Sequence, residues 1–243
     1  MENLIRLLKE SKYCVVFTGA GVSTLAGIRD FRGKNGLYTT AGDDAEKIFD
    51  IDYFHKKPSF YYKAAKNFIY NLDQKIPAIV HTELARLEKI GIVKAVITQN
   101  IDLLHQKAGS RKVIEVHGSP AVHRCLSCGR IYHFDEIVKI VQGDKVPQCE
   151  CGGIIKPDIT FFGEALPALA VDEAISEASR ADLMLVLGST LVVYPAASFP
   201  VYTVKNGGKM VIVNNMATPL DYMAVNRYED LETVFKYISE NLR

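Results

Sequence analysis

Short apolar runs at residues 15–17, 93–98, 113–116, 183–187 and 210–213 show little polar alternation. Runs of that kind predict strands covered on both faces, as in a parallel sheet. Between them the apolar spacing changes to three and four. Residues 77–90 place Ile79, Val80, Leu84, Leu87 and Ile90 near helical spacing, with Pro77 suited to a first turn and Gly91 to a stop. Residues 1–10, 169–179 and 231–242 predict three further helices. Alternating strand and helix predicts an α/β fold with a doubly wound parallel sheet.

Two stretches break the alternation. Residues 32–76 hold no convincing buried strand: Gly33-Lys34-Asn35-Gly36 and Ala41-Gly42-Asp43-Asp44 read as loop, and an aromatic-rich stretch at 53–70 reads as helix. Residues 119–156 carry four cysteines and little core. Both read as insertions that build a smaller module beside the sheet. The expected division is therefore 1–31, 77–118 and 157–243 in a large domain, and 32–76 with 119–156 in a small one.

Composition narrows the class. The chain has 243 residues, 48% apolar and 23% charged, which suits a soluble globular protein that buries a core without disulfides. A formal net charge of +1 without charged blocks argues against a dedicated nucleic-acid binder. The most apolar region, 183–202, is interrupted by Gly188, Ser189, Thr190, Pro195 and Pro200, so it does not read as a membrane span. The first ten residues carry charges throughout and do not read as a signal peptide. A cytoplasmic location is expected.

Of five cysteines, Cys14 lies in an apolar run, where it packs as a small hydrophobe. The other four form Cys125-x-x-Cys128 and Cys149-x-Cys151, with twenty residues between the pairs. In a reducing compartment such pairs read as a zinc knuckle. Four thiolates close a tetrahedral site, so one structural Zn²⁺ per chain is expected, with no open position for catalysis. The second pair is one residue tighter than the common spacing, which leaves His123 and His133 as possible substitute ligands.

Candidate chemistry collects at strand ends. Thr18-Gly19-Ala20-Gly21-Val22-Ser23-Thr24 follows the first run. Glycines there permit a tight turn and close approach of a phosphate. The spacing is not G-x-G-x-x-G, and a plain strand-turn-helix corner fits as well. Gly27-Ile28-Arg29-Asp30-Phe31-Arg32-Gly33 suits either an aromatic and cationic nucleotide contact or a solvated loop. Thr98-Gln99-Asn100-Ile101-Asp102, His117-Gly118, Gly188-Ser189-Thr190 and Asn214-Asn215 each end an apolar run. Ligands of open α/β sheets bind beyond the carboxyl ends of the strands, so these ends converge on one cleft. The imidazole of His117, which titrates near neutral pH, is the candidate base within it.

In this order the motifs resemble the sirtuin family of NAD-dependent protein deacylases. The matching pieces are Gly19-Ala20-Gly21-Val22-Ser23, Gly27-Ile28-x-Asp30-Phe31-Arg32, Thr98-Gln99-Asn100-Ile101-Asp102, His117-Gly118, the four cysteines, Phe162-Gly163-Glu164, Gly188-Ser189-Thr190, Val193-Tyr194-Pro195-Ala196 and Val213-Asn214. They cover nearly the whole chain, which resembles a compact bacterial or archaeal catalytic core. The resemblance implies a Rossmann-type large domain, a small zinc-carrying domain, and NAD and acyl-lysine meeting between them. By motif match NAD would touch Gly19, Ala20, Gly21, Ser23, Thr24, Asp30, Phe31, Arg32, Gln99, Asn100, Ile101, Asp102, His117, Gly188, Ser189, Thr190, Asn214 and Asn215. His117 would be the general base, with Asn100 placing a ribose or water and Asp102 holding the nicotinamide amide. An acetyl-lysine protein or peptide would add as a strand between Phe162-Gly163-Glu164 and Val192-Val193-Tyr194.

Some positions depart from the family pattern. Arg29 stands where proline is common, Ala26 replaces a common serine, and Thr160 replaces an aliphatic residue of the acyl tunnel. The segment 39–47 is longer than in compact relatives. No Tyr-x-x-Arg pair follows the first glycine motif, since Tyr38 leads into Thr39-Thr40-Ala41. The expected activity is therefore NAD-dependent deacetylation giving nicotinamide, O-acetyl-ADP-ribose and free lysine, by a monomer without membrane or direct nucleic-acid contacts. Protein ADP-ribosylation within the same family, and a zinc-ribbon binding module without catalysis, are the alternatives.

Overall fold

The computed structural model describes residues 1–30, 36 and 45–242. Its strands are β1 (Cys14–Thr18), β2 (Val93–Thr98), β3 (Val113–Glu115), β4 (Gly118–Cys125), β5 (Ile131–His133), β6 (Ile155–Ile159), β7 (Leu183–Leu187), β8 (Lys209–Val213) and β9 (Asn226–Tyr228). Six form one sheet in the order β3-β2-β1-β7-β8-β9, and every pairing is parallel. The chain builds outward from β1 through β2 to β3, then crosses back to β7 and builds the other way. The direction therefore reverses between β1 and β7, the place where α/β sheets open a ligand crevice.

Burial explains the unalternating runs. Every residue of β1 and of β7 is buried. Cys14 and Val16 face one apolar cluster, which holds Leu4, Leu84 and Phe235 from the helices Glu2–Glu10, Ile79–Lys89 and Leu231–Asn241. Val15 and Phe17 face the other, which holds Ala174, Ala178 and Phe199 from the helices Ala168–Arg180 and Phe199–Lys205. The expected doubly wound sheet is thus present, with helices on both faces. Strand β9 is an addition. Asn226, Arg227 and Tyr228 form no apolar run, because an edge strand half open to water needs none.

The three remaining strands make an antiparallel sheet in the order β5-β4-β6. The expectation that residues 119–156 carry little core is corrected. Cys125, Ile137, Val141, Cys149 and Ile155 are buried in one cluster with Phe49, Phe54, Tyr61, Tyr62, Tyr70 and Phe161. Neither segment holds enough apolar surface alone, so the two share a core. Its rings meet edge to face, as at Phe49–Phe161 (5.5 Å, 88°) and Phe54–Tyr61 (5.5 Å, 75°). The aromatic stretch is two helices, Ile51–Lys56 and Pro58–Ala65, divided where Pro58 opens a first turn. Helix Phe134–Gln142 buries Ile137 and Val141 toward the same core. Among the described residues no helix is long and apolar enough to cross a membrane.

Candidate functional site

At the reversal point the ends of β1 and β7 pack backbone on backbone. Gly19 N–H donates to the Leu187 carbonyl at 3.0 Å, and Gly21 N–H to the Gly188 carbonyl at 2.9 Å. A Cβ on Gly19 would lie 2.7 Å from Gly188 O, and one on Gly21 2.7 Å from Gly188 Cα. Gly188 itself has φ +60°. No side chain fits this crossing, and Gly188 also needs a left-handed backbone. Beyond it Leu191, a buried residue at φ +55°, turns the chain toward Val192-Val193-Tyr194.

Behind the crossing lies a bed of buried polar groups. Asn100 Nδ2 donates to Gly19 O and Ser23 Oγ, each at 3.1 Å. Because Gly19 O is only an acceptor, the amide orientation is fixed and Asn100 Oδ1 is left as a free acceptor. Ser23 Oγ donates to Asp102 Oδ2 at 2.5 Å, and Leu104 N–H to Asp102 Oδ1 at 2.9 Å. Deeper still, His81 Nε2 lies 3.4 Å from Ser23 Oγ, and His105 Nε2 lies 3.1 Å from Thr18 Oγ1. The two imidazole centroids are 4.8 Å apart. Burial lowers the pKa of both; His105, with His81 adding to the effect, is held down to about 3. Both are therefore neutral at working pH.

His117 stands in the turn between β3 and β4. Its Nδ1 is 2.9 Å from the Gln99 carbonyl oxygen. Burial pushes its pKa below the usual 6.5, against the opposing pull of that carbonyl. Gly118 has φ +70°, and a Cβ there would meet Asp158 O at 2.0 Å, so the residue after the histidine must be glycine. Gln99 also donates through Nε2 to Ser189 Oγ at 2.9 Å, which ties the end of β2 to the end of β7.

These strand ends surround a cavity of about 740 Å³, within the range of sites for small molecules and cofactors. Its wall includes the expected Gly19, Ala20, Gly21, Thr24, Asp30, Gln99, Asn100, Ile101 and His117. Gly188, Ser189, Thr190, Asn214 and Asn215 join them from β7 and β8, and Phe162, Gly163, Glu164, Val193 and Tyr194 from the opposite side. Ser23 and Asp102 are not wall residues; both lie in the bed, with the Asp102 carboxylate bonded on each oxygen. Val192 is exposed outside the wall. Phe31 and Arg32 lie outside the described residues, as do the 33–35 and 41–44 loop positions and Tyr38. Residues the sequence reading missed include Phe161 and Leu166 near the Phe162 edge and Glu229 to Glu232 at the far end. Their signal was positional only, since they follow β6 and β9 rather than forming motifs.

The four cysteines converge at the tip of the small sheet. Their sulfurs all lie within 4.8 Å of one another, with Cys125–Cys151 at 3.5 Å and Cys128–Cys149 at 3.6 Å. Tetrahedral Zn²⁺ with Zn–S bonds of about 2.3 Å needs edges near 3.8 Å, so the set fits. A Cβ on Gly153 would lie 2.5 Å from Ser127 Oγ and 2.7 Å from Cys125 Sγ, so the turn packs closely against the first cysteine pair. The Tyr132 hydroxyl donates to Cys149 Sγ at 3.1 Å and holds that thiol down to about 6. Cys151 is assisted by the Gly153 N–H, yet its three sulfur neighbours push it up to about 12. The thiols therefore compete for ionisation, a conflict that a divalent cation between them removes. His123 and His133 are not in the cluster. His123 is buried 3.0 Å from the Tyr70 hydroxyl, so neither substitute ligand is needed.

A sequence model of the Sir2 family matches residues 19–195, from the glycine turn through the Tyr194-Pro195 pair. The chain belongs to the Sir2 family. It is 48% identical over 229 residues to the NAD-dependent protein deacetylase of Thermotoga maritima, spanning 94% of this chain and 92% of that protein. It is 44% identical to the NAD-dependent protein deacylase 2 of Archaeoglobus fulgidus, spanning 91% and 88%. Among solved structures it superposes on Sir2 with a p53 peptide and NAD⁺ at a TM-score of 0.91 and 46% identity, covering 99% of this chain and 97% of that one. A Sir2 variant with deacetylated p53 peptide and 3'-O-acetyl ADP-ribose gives a TM-score of 0.94 over 100% and 98%. The Sir2 fold thus accounts for the Rossmann-type sheet and the cysteine-bearing small sheet together.

Proposed function

We propose that this Sir2 protein is an NAD-dependent protein-lysine deacetylase that transfers the acetyl group of an acetyl-lysine protein or peptide to ADP-ribose. One observation carries the reading. His117 presents an unprotonated Nε2 to a cavity bounded by the glycine crossing on one side and the Phe162-Gly163-Glu164 edge on the other. A base between a dinucleotide turn and a strand-docking edge suits a reaction that joins two substrates.

In this reading the phosphates of NAD come up against the glycine turn at Ala20 and Gly21, where small or absent side chains let them approach, while the Gly19 and Gly21 N–H groups stay bonded to Leu187 O and Gly188 O. Gln99, Ser189, Asn214 and Asn215 take its sugars. Asn100 Oδ1, the acceptor left free by its two donations, holds a ribose hydroxyl or a water. Asp102, set behind the wall and 7% exposed, offers its remaining lone pairs to a nicotinamide amide that reaches past the wall into the bed. The acetyl oxygen bonds to the ribose carbon as nicotinamide leaves. His117 then takes the proton of a ribose hydroxyl, whose oxygen attacks the former acetyl carbon. The tetrahedral carbon then expels lysine, whose nitrogen takes up the proton gained by His117; water adds to the cation left behind, the bond to the first ribose oxygen breaks, and O-acetyl-ADP-ribose is released. The four cysteines hold one structural zinc that keeps the small sheet together and stays out of these steps. We infer a division at 1–31, 77–118 and 157–243 against 32–76 and 119–156, and a cytoplasmic monomer without direct nucleic-acid contacts. The net charge of +1 supports the last point.

The test is NAD consumption with and without an acetylated peptide, followed by product analysis. Nicotinamide and O-acetyl-ADP-ribose formed in equal amounts, only with the peptide, are expected. ADP-ribose carried onto protein would replace this reading by transfer, and no turnover would leave a binding module.

A further inference from the structure

Lys156 lies on β6 between Ile155 and Pro157, and its side chain is only 6% exposed. A buried ammonium is tolerated when its three N–H groups find acceptors and an opposite charge lies close. Lys156 has all of these. Its Nζ donates to the Ile159 carbonyl at 2.7 Å and the Pro157 carbonyl at 3.2 Å, and lies 2.8 Å from Glu164 Oε2. The Phe161 ring centroid is 4.1 Å away, within cation–π range. Pro157 and Ile159 flank the register shift in the β4–β6 ladder, so the ammonium binds the strand where pairing is irregular.

Glu164 carries this anchor into the loop. Its Oε2 also accepts the Phe161 N–H at 2.7 Å, and its own N–H donates to the Phe161 carbonyl at 3.0 Å. Gly163, at φ +94°, closes the turn, and a Cβ there would lie 2.8 Å from Ile51 Cγ2. Phe162 N–H donates to Phe49 O at 2.7 Å, and Phe162 O accepts from Ile51 N–H at 3.1 Å. The turn is therefore held from two sides. Gly163, which lines the cavity, has no backbone hydrogen bond among the described residues.

We propose that Lys156 is a positioning residue for the peptide substrate: through Glu164 it fixes the Phe162-Gly163-Glu164 edge to which the peptide adds as a strand. The proposal rests on the deacetylase reading. Strand addition depends on backbone groups held at a set spacing before binding, and a floating edge would be ordered only at the expense of affinity. An apolar residue at 156 would fill the same space without directing Glu164. Replacing a buried ion pair by apolar residues is often neutral for stability, so the pair is better explained by the geometry it imposes.

The test compares wild-type protein with Lys156→Met, Lys156→Arg and Glu164→Gln, measuring KM for an acetylated peptide, KM for NAD, kcat and the melting temperature. Lys156→Met is expected to raise the peptide KM about tenfold with the NAD KM within about twofold. Lys156→Arg, which keeps the charge, is expected to recover most of that loss. Glu164→Gln serves where Lys156→Met does not fold, with an expected peptide KM rise of about threefold. A peptide KM within twofold of wild type in the folded variants overturns the proposal while leaving the deacetylase reading intact. Equal rises in both KM values, tracking melting temperature, also overturn it by making Lys156 merely structural. Wild-type protein that consumes no NAD with the peptide overturns both.

Discussion

The Nδ1 atom of His117 lies 2.9 Å from the carbonyl oxygen of Gln99. A carbonyl oxygen only accepts, so Nδ1 carries the proton and Nε2 keeps its lone pair. One backbone atom at the end of β2 thereby sets the tautomer of a side chain that follows β3.

Removing that imidazole tests its role. His117→Ala is expected to lower NAD-dependent deacetylation by at least about a hundredfold, the lower range for a lost general base. The melting temperature should change little, because His117 is only half-buried in a turn. Undiminished turnover in a folded variant rejects the base assignment.

The same histidine sets an acid limit. Burial depresses its pKa below 6.5, and the Gln99 carbonyl only partly offsets this. The base works when neutral, so activity falls as pH drops through the depressed value. A kcat/KM profile against pH should therefore show an acid limb centred below 6.5. A limb centred above 7 contradicts the geometry.

Metal analysis of purified protein is expected to give one zinc per chain. Structural zinc sites couple binding to folding, so a strong chelator should melt the small sheet before the parallel sheet. Loss of protection from hydrogen exchange in 118–159 but not in 183–213 would show this. Protein that folds normally without zinc counts against the site.

The crossing of β1 and β7 is intolerant of bulk. Gly21→Ala puts a Cβ 2.7 Å from Gly188 Cα, an overpacking that costs about 1–3 kcal/mol. It should also weaken NAD binding by moving the turn. Gly143→Ala meets nothing closer than 3.4 Å and serves as the tolerated control. Thermal melts and an NAD titration of both variants separate the outcomes.

Stability should fall on mild acidification. His105 and His123 have folded pKa values of about 3, each lowered mainly by burial, against 6.5 in the unfolded chain. Between those values the unfolded state binds more protons, so stability rises with pH there and is lost as pH falls from 6.5. Carboxylates such as Asp182, whose folded pKa lies below its usual 3.8, act only at lower pH. Cys149, held down to about 6, would titrate in the same window unless zinc occupies the site, and Glu115, raised by burial, acts in the opposite sense. Urea midpoints measured from pH 7 to 5 on zinc-loaded protein should therefore fall, and a flat profile rejects the assignment.

The parallel sheet was legible because β1, β2, β7 and β8 are covered on both faces over most of their length and are apolar there. The polar strand ends were legible for the same reason, since each interrupts such a run. Strand β9 was not, because Asn226 and Arg227 lie at a wet edge. The shared core of the two insertions was hidden by distance: Tyr62 and Ile137 join one cluster only after the chain has passed through β2 and β3 of the large sheet. His81, His105 and Lys156 carry no local pattern. Their importance comes from burial beside Ser23, Thr18 and Glu164, which spacing along the chain does not express. The zinc set was legible as pairs, whereas the dispensability of His123 required its ring to be seen against Tyr70.

The left-handed, buried Leu191 joins Gly188-Ser189-Thr190 to Val192-Val193-Tyr194 within seven residues. In the proposed reaction the first three meet the dinucleotide and the last three meet the peptide. A single segment then serves as the common jaw for both co-substrates. Attempts to retune peptide preference there will drag cofactor affinity along with it. Diversity placed around Phe162 and Leu166 leaves the dinucleotide side untouched, and that is where selectivity can be engineered separately.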